Sequence, residues 1–136
     1  MCLAVYLASD KPLTTNKWDE SVPSFYLEAV AAGEPVTRRF QYQHVYYAGS
    51  HEGCGCGFSK DGRDDDELQL CQADYDQLGE AISRATQAGV RLQLFACWEG
   101  EQSLEPIAVG AVSATRLKDH SFELQQLHLL DIQGEA

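Results

Sequence analysis

Between Val45 and Trp98 the chain reads strand, glycine-rich loop, long amphipathic helix, strand, and that order leaves few ways to fold. The first strand is the apolar run Val45-Tyr46-Tyr47-Ala48. In the helix, Leu68, Cys71, Tyr75, Leu78, Ile82 and Ala85 recur at steps of three and four, which is one stripe of an amphipathic helix. Asp64, Asp65, Asp66 and Glu67 crowd its start, where the positive end of the helix dipole favours carboxylates, and Gly89 ends it. Arg91 to Cys97 is the second strand. Such a unit defaults to a parallel, right-handed crossover, with the glycine loop and the Cys97-Trp98-Glu99 end on the same edge of the sheet. Open sheets of mixed helix and strand usually bind ligands at that edge.

The rest of the chain supplies more strands. Leu3 to Ala8 is apolar apart from one tyrosine hydroxyl, as suits a central strand buried on both faces. Phe25 to Val30 reads as a second strand and Val36 to Phe40 as a third, its hairpin partner across the turn Ala32-Gly33-Glu34-Pro35. Ile107 to Val112 reads equally as a strand or as the start of a short helix through Leu117. Phe122 to Ile132 is a last strand whose apolar phase slips, which predicts a bulge near Gln125 and Gln126. The expectation is an α/β or α+β domain over residues 1–136. It holds a mixed sheet of about six strands, one long helix over about 66–88 and room for one short helix. At 44% hydrophobic residues the chain can build a core without metal or disulfide help.

A net charge of −11 argues against nucleic acid and against anionic membranes, which need a basic face. The opening residues lack a basic segment and the apolar run there is too short to span a bilayer, so the expected location is cytoplasmic, with reduced thiols. A homodimer and a protein or small-molecule partner are both compatible with this composition.

Chemistry concentrates in the loop Gly49-Ser50-His51-Glu52-Gly53-Cys54-Gly55-Cys56-Gly57-Phe58. His51, Cys54 and Cys56, joined by Cys97 through the crossover, make a ligand set for zinc or an iron–sulfur centre. The same residues suit a thiol enzyme, with Cys54 or Cys56 as nucleophile, His51 as base and the loop amides as an oxyanion site. Glu99, beside Trp98 on the same edge, is a candidate acid. A third reading is a non-catalytic interaction module in which the glycines build a structural turn and the cysteines pack as small hydrophobes. A phosphate-cradling loop fits less well, because the spacing is wrong and Asp64, Asp65 and Asp66 would repel an anion.

Cys54-Gly55-Cys56-Gly57-Phe58-Ser59 resembles the Cys-Gly-Cys-Gly motif of A-type iron–sulfur carrier proteins. In that family the pair works with one more cysteine upstream; here the only upstream cysteine is Cys2, and the pair is followed by a helix and further strands. That likeness is read as local convergence on a thiol-presenting turn. A wider likeness joins Met1-Cys2-Leu3-Ala4-Val5-Tyr6, the block from Val45 to Phe58 and Leu94-Phe95-Ala96-Cys97-Trp98-Glu99-Gly100. Together they resemble small uncharacterised bacterial proteins, which implies a bacterial cytoplasmic domain and no particular activity. Cys2 also invites comparison with amidotransferases that begin at a cysteine nucleophile, but Leu3 stands where that family has glycine.

Overall fold

The computed structural model describes residues 2–134. Six strands form one mixed sheet in the order β2-β3-β1-β4-β6-β5. The strands are β1 (Leu3–Ser9), β2 (Tyr26–Ala29), β3 (His44–Gly49), β4 (Leu92–Trp98), β5 (Ala108–Ser113) and β6 (His128–Gln133). The long helix α1 (Asp65–Gln87) covers one face, assisted by the short helix α2 (Ala114–Leu117). The fold is α+β, because every strand pairing is antiparallel except β5 with β6. The segment from Ile107 to Leu117 thus realises both of its readings in succession, strand and then helix.

The crossover from β3 through α1 to β4 does return parallel, but β1 lies between the two strands and runs antiparallel to both. One consequence decides the site. The C-terminal ends of β3 and β4 flank the start of β1, so the first residues of the chain arrive between the glycine loop and Trp98. As expected of a central strand, β1 is buried along its whole length.

Alternation along β1 divides two cores. Leu3, Val5 and Leu7 face α1, where Cys71, Tyr75, Leu78 and Ile82 are fully buried. Ala4, Tyr6 and Ala8 face the other way, with Val45, Phe95 and Cys97. Leu68, the first residue of the predicted helical stripe, is only half-buried. Asp64 caps α1 by accepting from the Glu67 N–H at 2.8 Å.

Two expected elements differ. Val36 to Phe40 is not a strand: Pro35–Arg39 forms a 3-10 turn that crosses the face away from α1. Pro35 fixes the φ of its first position, and Val36, 2% exposed, plugs the core instead of pairing with β2. The last strand begins at His128 rather than Phe122, so the break in apolar phase marks the end of a turn and no bulge inside a strand. Leu127 takes a left-handed φ of 59° there and packs into the core away from α1, while Leu124 packs toward it.

Candidate metal centre

The loop after β3 is held shut by its own polar atoms. Ser50, fully buried, donates its hydroxyl to the Cys54 carbonyl at 2.6 Å and accepts from the Gly57 N–H at 3.0 Å. Gly57 has to be glycine here, because a Cβ would lie 2.4 Å from Ser50 and 2.7 Å from the Asp74 carboxylate. Arg63 staples the outer side: it donates to the carbonyls of Ser59 (2.8 Å) and Cys56 (2.7 Å) and to the Glu52 carboxylate (2.5 Å). That guanidinium keeps the Glu52 carboxyl below its ordinary range.

His51 is fastened from α1. Asp74, 2% exposed, accepts the His51 backbone N–H at 2.9 Å and meets its Nδ1 at 2.5 Å. Burial holds the Asp74 carboxyl above its ordinary range, and the hydrogen bonds from His51 pull it back. The imidazole therefore serves the loop through a carboxylate. Among the described residues no hydrogen bond joins it to a thiol, so the base-and-nucleophile pairing of His51 with Cys54 or Cys56 is not assembled.

The thiols that come together are Cys2, Cys54 and Cys56, whose sulfurs all lie within 4.8 Å of one another. Cys54 precedes the 3-10 turn Gly55–Phe58, and its sulfur accepts from the Cys56 N–H at 3.4 Å. The Tyr47 hydroxyl accepts from the intervening Gly55 N–H at 2.9 Å. Cys2 is fixed by the end of β4, since its carbonyl accepts from the Glu99 N–H at 2.8 Å. The trio is close enough to hold a metal ion. A tetrahedral zinc with sulfurs at about 2.3 Å needs them about 3.8 Å apart, within reach of small side-chain rotations.

The three thiols influence one another's ionisation. A hydrogen bond to Cys56 pushes the Cys2 thiol above its ordinary pKa, and burial does the same for Cys56. A backbone N–H of Leu3 opposes the rise at Cys56 by stabilising its thiolate. A cation entering the cluster would displace the thiol protons.

The expected ligand set of His51, Cys54, Cys56 and Cys97 is thus not what the fold gathers; Cys2 stands where His51 and Cys97 were expected. Cys97 does lie on the expected edge, but strand alternation turns its side chain into the core away from α1. There it is fully buried, and burial pushes its thiol up to about 12. Glu99 is exposed and its carboxylate accepts from Gln102 at 2.8 Å, while the Trp98 indole donates to Gln126 at 2.5 Å. The contribution of this segment to the site is a backbone anchor for Cys2. The signal for Cys2 was present in its being the sole cysteine upstream of the pair; what sequence could not show is that β1 is inserted between β3 and β4.

No helix among the described residues is long and apolar enough to cross a membrane. The chain matches no known protein family, and neither a curated protein nor a solved structure is significantly similar to it.

Proposed function

We propose that this protein binds a single soft metal ion, zinc foremost, through Cys2, Cys54 and Cys56. The observation that carries the reading is the convergence of three sulfurs from two separated segments within 4.8 Å. Thiolate sulfur selects zinc, copper(I) and iron–sulfur species over hard cations. An iron–sulfur cluster spreads its cysteine ligands further apart than one ion does, so the close grouping favours the single ion. Three thiolates fill three corners of a tetrahedron, and the exposure of Cys2 leaves the fourth corner to water or a small ligand, the pattern of zinc sites that do chemistry. The Cys56 N–H on the Cys54 sulfur is the kind of outer-shell contact that orients and stabilises a ligating thiolate. Such a site needs reduced cysteines, which fits a cytoplasmic location.

Metal-free protein titrated with zinc against a chromophoric chelator tests the reading. One ion per chain is expected, and cobalt substitution should give intense sulfur-to-metal absorption. Cys2→Ser, Cys54→Ser and Cys56→Ser should each weaken binding at least tenfold while leaving the circular dichroism spectrum intact, because serine supplies no thiolate at neutral pH. Cys71→Ser and His51→Gln should keep the stoichiometry. Retention of full affinity by Cys2→Ser would overturn the three-thiol site.

A further inference from the structure

On the sheet face away from α1 lies a cleft of about 620 Å³, a volume within the range of small-molecule sites. Its floor is built from the sheet. Tyr6 and Tyr47 are register partners across β1 and β3, and their rings meet edge to face at 5.5 Å. Tyr47 in turn pairs with Glu28 on β2, so all three side chains share the face. The wall is the start of the 3-10 turn, Pro35 and the buried Val36.

The charged groups of this cleft have one sign. Glu28 and Glu34 contribute carboxylates, both exposed, and among the described residues no lysine, arginine or histidine lines it. Glu34 occupies the N-cap position of the turn, yet its side chain makes no capping hydrogen bond and its carboxylate stays exposed. Each tyrosine oxygen accepts one hydrogen bond, Tyr6 from Gln102 at 3.2 Å and Tyr47 from Gly55 at 2.9 Å, and keeps a lone pair. Aromatic faces and carboxylates together recognise an ammonium group, and a chain of net charge −11 draws cations toward it.

We propose that this cleft binds a small organic cation, an alkyl amine or diamine, held by the carboxylates of Glu28 and Glu34 against the aromatic floor of Tyr6 and Tyr47. The site is separate from the thiol cluster and needs no metal. An anion of the same size is rejected, because among the described residues no cationic side chain lines the cleft to receive it.

The test is a titration of the full chain with putrescine, followed by backbone-amide NMR shifts, with succinate as the matched anion. Saturable shifts confined to Ala29, Val30, Tyr47 and their neighbours are expected below about 10 mM, and none with succinate. Glu28→Gln/Glu34→Gln should weaken binding at least tenfold. Asp65→Asn/Asp66→Asn, which removes equal charge from the exposed start of α1, should change it less than twofold. Gln102→Lys, which places an ammonium in the cleft, should abolish it in a protein whose spectrum remains folded. Shifts scattered over the acidic surface, or equal losses in the two double variants, would show non-specific attraction and overturn the proposal. So would an absence of saturable shifts.

Discussion

A Cβ at position 55 would lie 2.2 Å from the carbonyl oxygen of Leu3. That oxygen belongs to the backbone of the central strand, so no side-chain rotation relieves the clash, and the loop would have to lift from the start of β1. Gly55→Ala is therefore expected to separate Cys2 from Cys54 and Cys56, and to cost about 1–3 kcal/mol from overpacking. The diagnostic outcome is a joint loss in zinc titration and in urea denaturation, because the same contact serves both. Metal affinity equal to that of the parent chain would show that loop and strand can part without disturbing the sulfurs. The other cysteines have different employment. Cys71 is fully buried beneath the loop, its sulfur 3.8 Å from the Ser59 carbonyl, and Cys97 is buried on the opposite side of the sheet. Both should resist alkylation in the folded protein, while Cys2 is exposed to it.

At the scale of the element, α1 connects the candidate site to the core. Its buried stripe packs on the sheet while Asp74, one residue before Tyr75, reaches the loop. Tyr75 repeats the connection: its hydroxyl donates to the Phe58 carbonyl at 2.5 Å and accepts from the Leu124 N–H at 3.0 Å. Its ring also meets Phe58 edge to face at 5.2 Å. Leu78, fully buried one turn further on, belongs to the core on this face of the sheet. Truncation to alanine there should cost about 2–5 kcal/mol in two-state denaturation, while zinc stoichiometry stays at one per folded chain. A cost below about 0.5 kcal/mol would mean that this face of α1 does not carry the packing assigned to it.

For the molecule as a whole, buried acids set a limit at alkaline pH. Burial, with help from Glu99 and Glu101, raises the Cys97 thiol from 9.0 to about 12. The unfolded chain releases this proton above pH 9, whereas the fold keeps it until about 12. The unfolded state therefore holds fewer protons in that window, and stability must fall as pH rises through it. Tyr75, also raised by burial, adds to the fall at higher pH. In Cys97→Ala the decline measured by urea denaturation should be shallower by at most about 1.4 kcal/mol per pH unit, one proton's worth. Identical slopes in the two proteins would show that Cys97 ionises freely in the fold. The comparison rests on slopes, because the substitution also leaves a small cavity. What the chain determined by itself was local: the stripe and cap of α1, the doubly buried β1, and a loop whose glycines and thiols cannot be ordinary. Periodicity and turn chemistry act over a few residues, so they can be read without knowing the partners. The tertiary structure decided which thiols meet. Val36 plugs a core because Pro35 turns the chain across the sheet, and Cys97 is lost to the interior because strand alternation points it there. Cys2 joins the loop for one physical reason: β1 is paired between β3 and β4, and although its apolar run shows that it is buried on both faces, which strands flank it is a long-range choice that no local pattern encodes.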